Sequence, residues 1–129
     1  AVASAAGDRQ ATATATAALA EVALRRGESE RARSMAAEAL GVQEEIGDLA
    51  GIARTLETAA AVLGPGPNGI LLLAAADRLR RCGCDARPAI PPPGVLTDPP
   101  VVSAWAEGAA LSTAEVVALA AALLSGTAR

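Results

Sequence analysis

The feature that most constrains this chain is the small size of its apolar side chains. Hydrophobic residues make up 52% of its 129 residues, yet phenylalanine and tyrosine are absent and Trp105 is the single tryptophan. Aromatic rings usually supply a large share of buried area, so burial here must come from many close contacts between alanine-lined helices. Alanine is the strongest helix former, and leucine, glutamate and arginine follow it closely. The sequence therefore predicts an all-α fold.

The charge and residue content exclude several functions. The net charge is −3, lysine and histidine are absent, and the arginines are scattered among acidic residues. Without a basic stripe we expect no direct nucleic-acid partner, and without lysine there is no P-loop. Histidine, the usual general base, is missing, and the adjacent Glu44 and Glu45 would point about 100° apart on a helix. We expect a chain that is not an enzyme and binds no cofactor.

The two cysteines, Cys82 and Cys84, lie at the end of a predicted helix. A structural zinc site needs four ligands, and the chain has neither a second cysteine pair nor a histidine. We interpret them as reduced thiols rather than metal ligands, and whether they have a redox role stays open.

No apolar run approaches the roughly 18 to 20 residues that cross a bilayer. The first residues also lack the charged start and long apolar region of a signal peptide. We therefore expect no membrane partner and a cytoplasmic location. Because the chain does not begin with methionine, we interpret it as a piece of a longer protein.

Two Gly-Asp pairs, at 7–8 and 47–48, lie forty positions apart and mark a repeat. Each aspartate is expected to cap the start of a helix, and glycines interrupt the helical pattern within each unit. The predicted helices cover residues 9–26, 29–46, 49–63 and 68–82. Residues 1–84 are thus predicted to form two degenerate antiparallel helical hairpins.

Side-chain spacing assigns faces to these helices. One apolar stripe runs through Ile52, Leu56, Ala59 and Leu63 at helical intervals. Three pairs of opposite charge are expected to form on the solvent face, each worth a few tenths of a kcal/mol: Glu21 with Arg25, Glu28 with Arg31, and Glu30 with Arg33.

The composition changes after the second hairpin. Residues 85–100 contain six prolines, which predict an extended linker rather than a continuous helix. A short helix through Trp105 is expected next. Ser112 and Glu115 then have the spacing of a capping box, which predicts a last helix over 113–124. Residues 101–129 are interpreted as a C-terminal helical cap that Trp105 anchors to the hairpins.

Several strings carry a resemblance to a known family. They are Gly7-Asp8, Ala23-Leu24-Arg25-Arg26-Gly27, Glu30-Arg31-Ala32-Arg33 and Gly47-Asp48, followed by Ala104-Trp105-Ala106-Glu107-Gly108 and Leu111-Ser112. In this order they resemble the C-terminal tetratricopeptide-like (TPR) region of large bacterial, chiefly actinobacterial, ATP-dependent (STAND) transcriptional regulators of the AfsR and LuxR type. The resemblance covers nearly the whole chain. The proline-rich segment departs from it, since the family usually continues with helix there.

The resemblance implies a non-catalytic sensor and oligomerisation module, with the ATPase and DNA-binding domains elsewhere in the parent regulator. The fold would be a TPR-like α-α superhelix. Its concave face, formed by the first helix of each pair, would bind an effector or protein segment, with these candidate contacts: Arg9, Gln10, Thr14, Glu21, Arg54 and Glu57. The partners would be other domains of the regulator or a second copy. A stand-alone structural adaptor is the alternative, and a small enzyme a weaker one.

Two hairpins leave apolar faces that neighbouring repeats normally cover, because about three repeats are needed for a stable array. Three candidates could cover them here: further repeats of the parent protein, a second copy of the chain, or the C-terminal helix folded back.

Overall fold

A computed structural model of the chain describes residues 2–64, 66–81 and 99–126. These residues form six helices and no strand, which confirms the all-α prediction. The helices are α1 (Val2–Arg25), α2 (Ser29–Ile46), α3 (Leu49–Leu63), α4 (Pro67–Arg81), α5 (Pro99–Ala110) and α6 (Thr113–Ser125).

The predicted start of α1 is wrong. Asp8 does not cap the helix, because α1 begins at Val2 and runs through Gly7 and Asp8. A glycine inside a helix costs only about 1 kcal/mol relative to alanine, and the alanine-rich sequence on both sides favours continuation. The two Gly-Asp pairs therefore occupy different structural positions despite their identical residues.

The second Gly-Asp pair forms the junction between hairpins. Gly47 ends α2 in the left-handed region at φ 71°, and the amides of Gly47 and Asp48 donate to the carbonyls of Glu44 and Gln43. Asp48 then caps α3, its side chain accepting from the Gly51 amide at 3.0 Å. The prediction of Asp48 as an N-cap is confirmed. Glycine is favoured at position 47 because side chains rarely adopt this φ.

The four N-terminal helices pack mainly against their neighbours in sequence. α1 packs against α2, α3 packs against α4, and α2 and α3 join the two hairpins. The predicted stripe on α3 is confirmed over most of its length, since Ile52, Leu56 and Ala59 are fully buried and Leu63 is partly buried. Ile52, Leu56 and Ala59 belong to a buried cluster against which Leu63 packs. The cluster also includes Ala20, Ala36, Leu40, Leu72, Ala75, Val116 and Ala120.

One polar pair lies inside this packing. Gln43 on α2 and Thr55 on α3 are 1% and 0% exposed, and the Thr55 hydroxyl lies 2.8 Å from Gln43 Oε1 and 3.0 Å from the Gly51 carbonyl oxygen. A buried polar group without a partner costs about 1–3 kcal/mol, so the contact fixes how α3 sits against α2.

Helix α5 packs on α4 through a glycine. A Cβ atom added to Gly108 would lie 2.7 Å from the carbonyl carbon of Leu71 and 2.9 Å from its Cα. Such distances are too short for any side chain, so Gly108 is what lets the two backbones approach. Trp105, one turn earlier on α5, is 7% exposed.

Helix α6 folds back onto the hairpins, where it packs against α2, α3 and α4. Val116, Ala120 and Leu124 belong to the central cluster. Arg33 on α2 points a guanidinium nitrogen at the carbonyls of Leu123 and Leu124, both at 3.4 Å. A cation at the carboxyl end of a helix is favourable for the helix dipole. Helix α6 therefore covers part of the hairpin surface.

The expected surface ion pairs are only partly present. Glu28 and Arg31 lie 3.8 Å apart, as predicted. The pairings of Glu21 with Arg25 and of Glu30 with Arg33 are wrong, because Glu21 pairs with Arg54 and Arg33 turns to the end of α6. Contacts between helices therefore replace the contacts expected within one helix.

Cys82 and Cys84 lie outside the described residues, as do residues 85–98 of the predicted linker. The last two residues of that linker, Pro99 and Pro100, form the start of α5. Proline is well tolerated in the first turn of a helix, where the backbone N–H has no helical partner. Among the described helices, none is long and apolar enough to cross a membrane.

The predicted capping box of α6 is confirmed. Ser112 accepts from the Glu115 amide at 3.1 Å, and Glu115 accepts from the Ser112 amide at 2.9 Å. We expect Ser112→Ala to lower the free energy of unfolding by about 1 kcal/mol. Urea unfolding would measure this. Ser34→Ala, at an exposed position inside α2, is the control and should leave stability nearly unchanged.

The same box makes stability depend on pH. Hydrogen bonds from the Ser112 backbone and side chain hold the pKa of Glu115 below its ordinary value. A carboxyl group with a lowered folded-state pKa stabilises the fold above the unfolded pKa, and that contribution is lost as pH falls through the folded value. Acid unfolding should therefore show a smaller loss of stability for Glu115→Gln than for the unaltered chain. Equal losses would contradict this assignment.

Candidate interaction surface

Three of the candidate contact residues lie around one open groove. Glu21 comes from α1, and Arg54 and Glu57 from α3, and the groove has a volume of about 480 Å³. The remaining lining residues are Leu24, Arg25, Thr58, Ala61 and Arg80. We call this depression the charged groove.

Two ion pairs between helices cross the charged groove. Arg54 Nε lies 3.0 Å from Glu21 Oε1, and Arg80 Nε on α4 lies 3.0 Å from Glu57 Oε2. Each arginine also directs a second nitrogen at the same carboxylate, so both pairs are bidentate. The carboxylate partners raise the pKa values of Arg54 and Arg80, first through hydrogen bonds and then through charge. The pairs connect α1 with α3 and α3 with α4 at the surface of the groove.

The other three candidates lie away from these pairs. Arg9 forms an ion pair with Glu45 near the end of α2, so it is directed at the partner helix of its own hairpin. Gln10 and Thr14 are exposed, and their spacing from Glu21 puts them on the same face of α1. The six candidates therefore form three groups. Glu21, Arg54 and Glu57 line the groove, Gln10 and Thr14 lie on the same face of α1, and Arg9 pairs with α2.

The structure adds residues that sequence reasoning missed. Arg25 was assigned to a pair with Glu21, and Arg80 was not assigned to a surface, yet both line the charged groove. Arg25 is exposed and has no ion-pair partner among the described residues. Their spacing in sequence gives no sign of this, because the groove depends on how three helices are rotated relative to one another.

An apolar depression of about 370 Å³ adjoins the charged groove. Both are lined by Glu57 and Ala61, so they form one continuous surface. The apolar part is also lined by Ala60, Gly64, Gly66, Gly69, Ile70 and Leu73. Leu73 remains 41% exposed there. We call this part the apolar groove.

Trp105 lies elsewhere, on α5. Its ring is buried, and its indole N–H has no hydrogen-bond partner among the described residues. Burial on a helix that packs against α4 is compatible with the predicted anchoring role, which stays a prediction.

The described acidic side chains do not gather into a metal-type cluster. Within the described residues, no three cysteine, aspartate or glutamate side chains come together as a metal site would require. Glu44 and Glu45 are both exposed, and Glu45 pairs with Arg9. The ionic and apolar groups that converge at the grooves can hold a partner by charge and by contact.

Comparison with known proteins identifies no relative: no family model, no curated protein and no solved structure matches this chain.

Proposed function

We propose that this chain is a non-catalytic helical-repeat module of a bacterial transcriptional regulator, acting in the cytoplasm through protein contacts and oligomerisation. Its two hairpins would be degenerate TPR-like units. The observation that carries the proposal is the charged groove, where residues from α1, α3 and α4 converge on an open surface. Helical repeats commonly bind partners on a surface that several repeats share.

The charges of the groove support a role in binding. Arg54 and Arg80 are about half exposed although each is paired, so a partner can reach their remaining donors. Exposed ion pairs add at most about 1 kcal/mol to stability. Stability alone therefore gives little reason to gather five charged side chains on this surface.

The test begins with a random peptide library displayed on phage and selected against the full chain. We expect enriched peptides whose affinity, measured by fluorescence anisotropy, falls roughly tenfold or more in the double variant Arg54→Ala/Glu57→Ala. The matched control is Glu28→Ala/Arg31→Ala, which removes an ion pair outside both grooves. Equal affinities for the two double variants, or no enriched peptide, would overturn the proposal. Circular dichroism would verify that both variants fold.

The proposed oligomerisation is supported by a different surface, on α1. Leu19 and Val22, on successive turns of α1, are 50% and 44% exposed. Two residues along a helix correspond to about 200°, so Leu19 faces almost opposite Glu21, which contacts α3. This apolar face of α1 is therefore the outer side of the first hairpin. We propose that a second copy of the chain covers it, by pairing of the same face in both copies.

We expect the unaltered chain to form a dimer as concentration rises, and Leu19→Ser/Val22→Ser to remain monomeric. Light scattering coupled to size-exclusion chromatography would measure the molar mass. Leu49→Ser, which alters a leucine 41% exposed at the start of α3, is the control and should dimerise normally. A monomer at every concentration would rule out this pairing.

The stand-alone adaptor remains the second candidate. It would use the same grooves, but without a switch domain to regulate. A parent gene that encodes no ATPase and no DNA-binding domain would favour the adaptor over the regulator.

A further inference from the structure

The charged groove carries an excess of positive charge. Arg25, Arg54 and Arg80 face two carboxylates, Glu21 and Glu57, and each carboxylate already has an arginine partner. Arg25 is the arginine left over, with no ion pair among the described residues. An acidic group on a partner would complete the pairing. The chain as a whole has a net charge of −3, so this local excess runs against the overall charge.

The adjoining apolar groove supplies a second, different contact. Ile70 and Leu73 project from α4 beside Ala60 and Ala61 of α3. Leu73 is one of four large hydrophobic side chains in the described residues that stay substantially exposed. Covering it and filling the apolar groove would remove apolar surface from water.

We infer that the two grooves together bind a peptide segment that carries one acidic and one bulky apolar side chain. The acid would pair with Arg25, and the apolar side chain would lie against Leu73. This inference rests on the proposed function and names the chemistry of the partner.

The peptide selection tests this pattern directly. Enriched sequences should share one acidic residue, Asp or Glu, and one bulky apolar residue, Leu, Ile, Met or an aromatic residue, in one consistent order and spacing. A synthetic peptide of this pattern is the probe for all variants of the full chain. Changing its acid to the neutral amide should weaken binding by up to about fivefold, because an exposed ion pair adds at most about 1 kcal/mol. Arg25→Glu, which also introduces repulsion, should weaken it roughly tenfold.

Each half of the groove has a matched control. Arg81→Glu makes the same charge change at an exposed arginine on α4 that lies outside both grooves and outside the Leu19 and Val22 face. Leu49→Ser matches Leu73→Ser, because both leucines are 41% exposed and Leu49 lies outside both grooves. We expect Arg25→Glu and Leu73→Ser to reduce affinity roughly tenfold, and the controls to change it less than about twofold.

The outcomes separate this inference from the proposed function. Two results would overturn the inference alone. One is that the enriched peptides depend on Arg54 and Glu57 but lack an acidic or an apolar residue. The other is that they bind equally to Arg25→Glu and Arg81→Glu. A selection that enriches nothing would overturn both. A third result concerns self-association. If Arg25→Glu abolishes it and Leu19→Ser/Val22→Ser does not, the grooves bind a second copy of the chain, which would also overturn the inference.

Discussion

Replacing Gly108 by alanine is expected to separate α5 from α4. The added methyl group would meet the Leu71 backbone, with 2.7 Å to its carbonyl carbon, and a backbone atom cannot rotate away as a side chain can. Overpacking of a tight contact typically costs about 1–3 kcal/mol, and occasionally more. We place this substitution at the upper end because the obstruction is main chain on a fully helical segment.

The single tryptophan reports the result. Trp105 lies one turn from Gly108 and is buried, so displacement of α5 would expose it to water and shift its fluorescence to longer wavelength. Gly41→Ala is the control, since a Cβ atom there meets nothing within 4 Å inside α2. That change should raise the free energy of unfolding by about 1 kcal/mol, because alanine replaces glycine in a helix. An unshifted Trp105 spectrum in Gly108→Ala would contradict the close packing.

The second large effect is expected for Leu56→Ala. Leu56 is fully buried on α3 and belongs to the cluster that joins the two hairpins with α6. Truncating such a leucine typically costs about 2–5 kcal/mol, since surrounding helices close the cavity only in part. Small domains have about 5–15 kcal/mol of stability in total, so the loss would be a large fraction.

Urea unfolding followed by circular dichroism would measure it. Leu49→Ala makes the same change on the same helix, at a position 41% exposed, and should alter stability by no more than about 0.5 kcal/mol. Comparable losses for the two variants would mean that Leu56 is not part of the structural core.

Local sequence signals predicted much of this fold. Helices α2 and α3 begin and end at the expected residues, since Gly27, Gly47 and the Asp48 cap act within one turn of the chain. The α6 capping box is equally local. The start of α1 was mistaken, because the Gly7-Asp8 pair is outweighed by the helix propensity of its neighbours.

Local sequence signals did not predict the contacts between helices. Glu21 was expected to pair with Arg25, four residues away, but the helix rotation brings it to Arg54. The close approach at Gly108 and the position of Arg80 in the charged groove have the same origin. Relative rotation of helices is set by the packing of whole faces, which residue spacing within one helix does not determine.

The return of α6 to α2 changes how this chain should fold. In an open repeat array each unit contacts only its neighbours, so folding can spread from any unit and the ends can unravel separately. Here Arg33 meets Leu123 and Leu124, about ninety residues further on, and ties the first hairpin to the last helix. Such distant contacts slow folding. During synthesis, the first hairpin cannot complete its packing until the last helix has been made.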